Sequence, residues 1–306
     1  MDQPKYTFLL PAYKGRFLDE MLRSIQNQTY TDFKVIISDD CSPEDLRSIC
    51  EPYLADPRFT YRRNAENMGS KSLVSHWNLL VDMCDTEFLV LASDDDVYEP
   101  QFLEEIDKLI INYPNTDLFR GRIDIIDEKR KTIIKDRIFP EYGDHLMFLN
   151  NHFSKGNNKC IANYVFRTTV LKRNHGFHET PLAWAADEIT VIEMSDKGCG
   201  YTKDILFHFR VSNCNISGMK PTKQIASQKA QAVLYADEWF RNYLKKKKII
   251  DFQYNRWGKM VYYFLMDADL KSFLLSCPKV WRLNLWDNHW MMSIARHQLK
   301  SLFVKL

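Results

Sequence analysis

Over roughly its first 110 residues the chain alternates, four times, between a short strand-like run and a segment of helical period, and three of those strands lead into polar loops. Tyr6-Thr7-Phe8-Leu9-Leu10 is an apolar run ended by Pro11, after which Phe17, Leu18, Met21, Leu22 and Ile25 mark one helical face. Phe33 to Ser38 is the second run, closed by Asp39-Asp40-Cys41-Ser42-Pro43, and a helix is expected near Glu44 to Leu54. Phe59 to Arg62 is the third, followed by a helical face of Leu73, Val74, Trp77, Leu80 and Val81. Glu87 to Ala92 is the fourth; it enters Ser93-Asp94-Asp95-Asp96 and then a helix marked by Phe102, Leu103, Ile106, Leu109 and Ile110. This order predicts βαβ units and a mainly parallel sheet with helices on both faces. Ligands of such sheets bind beyond the carboxyl ends of the strands, so Pro11-Ala12-Tyr13, Asp39-Asp40 and Asp94-Asp95-Asp96 are expected to gather on one edge.

Farther along, Leu118 to Ile138 reads as strand-like, and residues 141–186 carry no clear period. Asp187 to Lys197 suits a helix and Gly200 to Phe209 a late strand. Past Gly218 the pattern is helical, with breaks expected at Lys245-Lys246-Lys247-Lys248 and at Pro278. No repeats or low-complexity tracts are present.

The charge is unevenly distributed although the whole chain carries only +2. Arg241 to Leu306 holds 13 Lys and Arg against 4 Asp and Glu, leaving 29 against 36 in the first 240 residues. In this basic tail Trp281-Arg282-Leu283-Asn284-Leu285-Trp286 and Trp290 to Arg296 interleave aromatic and basic residues. Such stretches suit either a helical subdomain or the surface of an anionic membrane. Nucleic acid is not expected as a partner, since no zinc-finger, RNP or helix-turn-helix signature occurs. Seven scattered cysteines without CxxC spacing, and an opening that lacks a signal-peptide core, lead to the expectation of a reduced, cytoplasmic protein that lies at most peripherally on a membrane.

Three adjacent carboxylates at Asp94-Asp95-Asp96 repel one another unless they are solvated or neutralised. One reading is a divalent ion, Mn²⁺ or Mg²⁺, with Asp95 and Asp96 as ligands and open positions for phosphate oxygens; the other is an acidic turn that caps a helix. Asp39-Asp40 suits a carboxylate that accepts a pyrimidine imide N–H, with Tyr13 packed on the base, or a simple Asx turn. No glycine-rich phosphate loop occurs, which leaves such work to a metal. Asp187-Glu188, just after Trp184, suits a general base or a response to the helix dipole. Arg210 and Ser217 flank a polar loop able to hold phosphate oxygens, or one that merely lies on the surface. His76 and His208 are expected to be structural, since neither has a second His at ligand spacing.

Taken together, Leu9-Leu10-Pro11-Ala12-Tyr13, Ser38-Asp39-Asp40-Cys41-Ser42 and Ser93-Asp94-Asp95-Asp96 resemble, in order and spacing, the motifs of family 2 glycosyltransferases of the GT-A fold. Asn67-Met68-Gly69 and Phe119-Arg120-Gly121 extend the resemblance, which covers about residues 5–217. It implies a mixed, mainly parallel α/β sheet (GT-A-type, Rossmann-like) over 1–218, with a nucleotide-binding half at 1–117, an acceptor-binding half at 118–218 and a helical extension at 219–306. It further implies Pro11, Ala12, Tyr13, Asp39, Asp40 and Asn67 at the nucleoside, and Asp94 and Asp95 at ribose, diphosphate and metal, with Asp96 a further candidate ligand. Asp187 takes the place of the catalytic base, with Glu188 as the alternative, because the family's usual Glu-Asp pair reads Ala186-Asp187-Glu188 here. Arg210 to Ser217 takes the place of the loop that closes over the diphosphate, and Trp184 falls near the acceptor. The implied reaction is inverting transfer from a nucleotide-sugar donor to a saccharide or lipid-linked saccharide acceptor. A sugar-1-phosphate nucleotidyltransferase or a non-catalytic nucleotide-binding or membrane-associated scaffold are the rival readings.

Overall fold

The computed structural model describes residues 3–212, 222–250, 252–254 and 256–303. Strand β1 (Tyr6–Ala12) leads through α1 (Leu18–Gln26) to β2 (Phe33–Asp39), and α2 (Leu46–Cys50) leads to β3 (Phe59–Arg63). Next come α3 (Leu73–Met83), β4 (Phe88–Leu91), the short β5 (Val97–Tyr98) and α4 (Phe102–Asn112). They are followed by β6 (Leu118–Ile126), β7 (Thr132–Lys135), β8 (Tyr142–Gly143), α5 (His145–His152), β9 (Tyr164–Arg167), α6 (Thr168–Arg173), α7 (Ala186–Met194) and β10 (Cys199–Arg210). Four further helices are α8 (Lys223–Lys246), α9 (Arg256–Asp267), α10 (Leu270–Arg282) and α11 (Asn288–Phe303). Packing divides the chain into two units, residues 1–178 with 190–218 and residues 179–189 with 219–306.

The first unit is built on one sheet in the order β3-β2-β1-β4-β9-β6-β10-β5, with β7 beside β6 and β8 beside β10. β3, β2, β1 and β4 are all parallel. Phe8, Leu9 and Leu10 of β1 are fully buried, as a strand covered on both faces requires. β9 enters antiparallel between β4 and β6, so the sheet is mixed. α1 follows its predicted face, with Leu18, Met21, Leu22 and Ile25 buried, and Ser72 caps α3 by accepting the Ser75 amide.

One aperiodic stretch proves to hold short elements, and two expectations are corrected. Residues 141–186 contain β8, α5, β9 and α6, elements of two to eight residues that are too short to display a period. The helix expected over 44–54 is α2 followed by a 3-10 turn over Glu51–Ala55, because Pro52 cannot donate to an α-helical ladder. Pro278, by contrast, does not break α10, where the Ser276 hydroxyl and the Cys277 thiol donate to the Ser272 and Phe273 carbonyls in the adjoining turn.

The second unit is helical apart from its short first segment. Asp237 of α8 is buried and accepts from Arg241 and the Tyr254 hydroxyl. Ser227 of α8 donates to Asp269, the residue that caps α10 (2.7 Å), and Gln298 of α11 donates to the Ala268 carbonyl. Residues 179–189 belong here because Trp184 packs edge-on against Phe264 and beneath the Lys229 ammonium, 3.9 Å from the ring centre. Trp184 is thus a packed residue. Among the described residues no helix is long and apolar enough to cross a membrane.

Candidate active site

The parallel strands end level with one another: Ala12 of β1 is in register with Asp39 of β2, and Asp39 with Arg63 of β3. Ala92, just past β4, donates to the Leu9 carbonyl, so the acid triplet emerges beside the end of β1. Asp94 turns back onto that loop, where one carboxylate oxygen accepts the amides of Tyr13 and Lys14, both at 2.8 Å. From the other side the Ser42 hydroxyl donates to the Tyr13 carbonyl at 2.6 Å, while the Ser42 amide donates to Asp39 at 2.8 Å. Asp39, Ser42, Tyr13 and Asp94 therefore form one chain of bonds that joins three sequence motifs, and it leaves the Tyr13 side chain 39% exposed. Pro11 is half-buried and Ala12 buried at the strand end.

Asp40 organises the next loop. Its carboxylate accepts from Asn64 Nδ2 (2.8 Å), the Met68 amide (2.9 Å) and the Gly69 amide (2.7 Å). Asn67 closes the same turn by accepting the Ser70 amide. Asp39 spends its second oxygen on the Tyr61 hydroxyl (2.6 Å) and on Arg63. In this structure, then, both carboxylates build loops instead of presenting open acceptors. His76 is structural, as expected: it contacts the Ser38 hydroxyl at 3.0 Å, and burial lowers its pKa, which favours the neutral ring.

All three acids of the triplet are buried. Burial raises the Asp94 carboxyl above its ordinary range, against the pull of Lys14. Burial, and then the charge of Asp95, push Asp96 well up. Asp95 accepts from Ser93 Oγ at 2.6 Å through Oδ1, whereas its Oδ2 is buried and has no hydrogen-bond partner. A carboxylate oxygen so placed suits a cation. Among the described residues no three His, Cys, Asp or Glu side chains surround a common point, so a metal here would depend on phosphate and water for its remaining ligands.

Arg210 reaches the triplet from the end of β10. Its amide donates to Asp96 Oδ1 (2.9 Å), its Nε to the Asp95 carbonyl (2.8 Å) and its Nη2 to Glu20 of α1 (2.6 Å). The guanidinium is fully buried over the Phe17 ring. In this structure the Arg210 donors hold the triplet in place. Glu20 gave no sign of this in the sequence, because an acid in a first helical turn looks the same when it answers only the dipole. Ser42 and Gly69 lay within quoted motifs, but their bonds were not predictable from spacing. Asp187 and Glu188 open α7, with Glu188 buried and Asp187 half-buried; with Trp184 they belong to the second unit. Ser217 lies outside the described residues.

A mixed, largely parallel sheet with acidic loops gathered at the carboxyl edge of its parallel strands is the architecture of GT-A-type proteins. The chain belongs to glycosyl transferase family 2, whose family model matches residues 7–173. It is 22% identical over 192 residues to the poly(ribitol-phosphate) beta-N-acetylglucosaminyltransferase TarS of Staphylococcus aureus strain MW2, a match covering 60% of this chain and 31% of that protein. It is 30% identical over 95 residues to the GalNAc(5)-diNAcBac-PP-undecaprenol beta-1,3-glucosyltransferase of Campylobacter jejuni, covering 30% of each. The chain thus spans about a third of the length of these curated relatives. Among solved structures, S. aureus TarS 1–349 in complex with UDP-GlcNAc matches with a TM-score of 0.63 and 16% identity, over 89% of this chain and 76% of that one. Mannosyltransferase PcManGT from Pyrobaculum calidifontis, in complex with GDP-Man and Mn²⁺, matches with a TM-score of 0.55 and 14% identity, over 97% and 88%. At these identities the structural likeness is one of fold.

Proposed function

We propose that the protein is an inverting glycosyltransferase that moves a sugar from a nucleoside diphosphate donor, a UDP-sugar, to a hydroxyl of a saccharide or lipid-linked saccharide during assembly of a cell-surface polysaccharide such as lipopolysaccharide. The observation that carries this reading is the buried, unpartnered Asp95 Oδ2 within the acid triplet at the carboxyl edge of the sheet. TarS, crystallised with UDP-GlcNAc, supports the uridine donor. PcManGT, crystallised with GDP-Man and Mn²⁺, supports the metal.

In this reading Tyr13 packs on the base, beside the loop that Asp40 and Asn67 hold, and Asp39 with Ser42 keeps the Tyr13 backbone in place. Asp94 fixes the Tyr13 and Lys14 amides at the donor. Asp95 and Asp96 would hold Mn²⁺ or Mg²⁺, whose chemistry is to offset the negative charge of the departing diphosphate. Asp187, or Glu188 in its place, accepts the proton of the acceptor hydroxyl as that oxygen attacks the anomeric carbon. The bond from that carbon to the diphosphate oxygen breaks in the same displacement, so configuration inverts and no covalent enzyme intermediate forms. Trp184 and the residues following Arg210 are assigned to the acceptor and diphosphate side. The basic segment 219–306 is assigned to peripheral contact with an anionic membrane at its cytoplasmic face.

Calorimetric titration with UDP, GDP and dTDP, with and without Mn²⁺, tests the donor assignment on wild type and Asp95→Asn. The expected result is Mn²⁺-dependent UDP binding that the substitution abolishes. Failure of every nucleotide to bind under either condition would overturn the transferase reading.

A further inference from the structure

Helix α10 buries Phe273, Ser276 and Val280 and turns its other face to solvent. On that open face Leu274 is 58% exposed and Leu275 and Trp281 are each 68% exposed. Lys271, Pro278 and Arg282 are exposed as well. Positions 271, 274, 275, 278, 281 and 282 form a single stripe at helical spacing, with a cation at each end and apolar groups between.

The surroundings extend that positive border. α10 runs beside α8 in the same direction, since Ser227 meets Asp269 at one end, and Glu238 meets Lys279 (2.8 Å) and Arg282 at the other. α8 continues eight residues past Glu238, about 12 Å of helix. Lys245, Lys246, Lys247 and Lys248, all exposed, therefore lie at the end of the unit where Trp281 meets Trp286, their ring centres 5.4 Å apart. The acids nearby are occupied: Glu238 pairs with Lys279 and Arg282, and Asp287 accepts the Trp290 amide at the start of α11.

We propose that the open face of α10 is a docking surface for an anionic lipid bilayer. Leu274, Leu275 and Trp281 enter the headgroup–acyl boundary, while Lys271 and Lys245 to Lys248 meet lipid phosphates. The proposal rests on the membrane assignment of segment 219–306 made above and names the surface that performs it. The charge selects the occupant, because the lysines that border the apolar stripe complement anionic lipid phosphates. α10 lies on the bilayer instead of crossing it, having 13 residues of which three carry a positive charge.

The test is co-sedimentation of the full chain with vesicles of phosphatidylcholine alone and of phosphatidylcholine with phosphatidylglycerol, for wild type and Leu274→Glu/Leu275→Glu. Wild type is expected to bind the anionic vesicles only, more weakly as salt rises, with the double variant at least roughly tenfold weaker at an unchanged melting temperature. If wild type binds and the variant binds equally, the α10 surface is wrong while the membrane assignment survives. If wild type binds neither vesicle, both fail. Self-association in sedimentation velocity that the variant abolishes, without vesicle binding, would make a second copy the occupant and overturn the proposal. UDP calorimetry on the same preparations reports separately on the transferase reading.

Discussion

Arg210 Nη2 and Glu20 Oε2, 190 positions apart in the chain, meet at 2.6 Å behind the acid triplet. The guanidinium is wholly buried and the Glu20 side chain 33% exposed. The pair thus holds the end of β10 against α1 while the Arg210 amide and Nε hold Asp96 and Asp95. Removing the carboxylate charge takes the Glu20 counter-charge from a buried cation. Glu20→Gln is expected to cost about 1–3 kcal/mol, less than a fully buried pair because Glu20 is partly solvated. Arg210→Lys, which keeps the charge and loses the fork, is expected to weaken Mn²⁺-dependent UDP binding as well. Urea unfolding and calorimetry check both, and wild-type values in the two variants would refute the role given to the pair.

Ser42→Ala removes the hydroxyl that holds the Tyr13 carbonyl while leaving the Ser42 amide on Asp39. The expected loss is about 1 kcal/mol of stability together with a several-fold weaker affinity for UDP. An unchanged affinity would detach the Asp39–Ser42–Tyr13–Asp94 chain from nucleoside binding.

A Cβ on Gly69 would stand 2.9 Å from the Asp40 carboxylate oxygen that accepts the Gly69 amide. Gly69→Ala is therefore expected to displace the 67–70 turn and lower UDP affinity, with less than about 1 kcal/mol lost from global stability because the turn is local. Wild-type affinity in this variant would show that the turn lies away from the nucleotide.

Asp269 caps α10 through the Ser272 amide and also accepts from the Ser227 and Ser272 hydroxyls, bonds that lower its pKa to about 2. A carboxyl whose pKa is depressed in the fold stabilises the protein above its unfolded value and loses that contribution as pH falls through its folded value. Asp269→Ala is expected to cost about 1 kcal/mol at neutral pH. The gap from wild type should then close between about pH 4, the unfolded value, and pH 2. Melting temperatures of the two proteins across that range measure it, and a gap independent of pH would contradict the charge-assisted cap.

β1 and β4 were readable in the sequence because central parallel strands are covered on both faces and appear as apolar runs, and β2 because Val35-Ile36-Ile37 stands out before its acidic turn. The acidic loops were readable because they interrupt those runs abruptly. β9 was not: four residues in an aperiodic stretch carry no sign that they will insert antiparallel between β4 and β6. Nor could spacing show that Arg210 would turn inward to Glu20, or that Trp184 would pack under Lys229, since both depend on partners distant in the chain.

The triplet is clasped by a strand made late. Among the described residues β5, immediately after Asp96, pairs with β10, His208 opposite Val97. A nascent chain that has passed Asp96 but not yet reached Arg210 carries the acid triplet and lacks the residue whose amide holds the Asp96 carboxylate and whose Nε holds the Asp95 carbonyl. The carboxylates so close in sequence must remain hydrated and mutually repelling through the synthesis of more than one hundred further residues. Assembly of this edge thus requires a contact between residues 114 positions apart and depends on sequence separation as well as on the local preferences of the loops themselves.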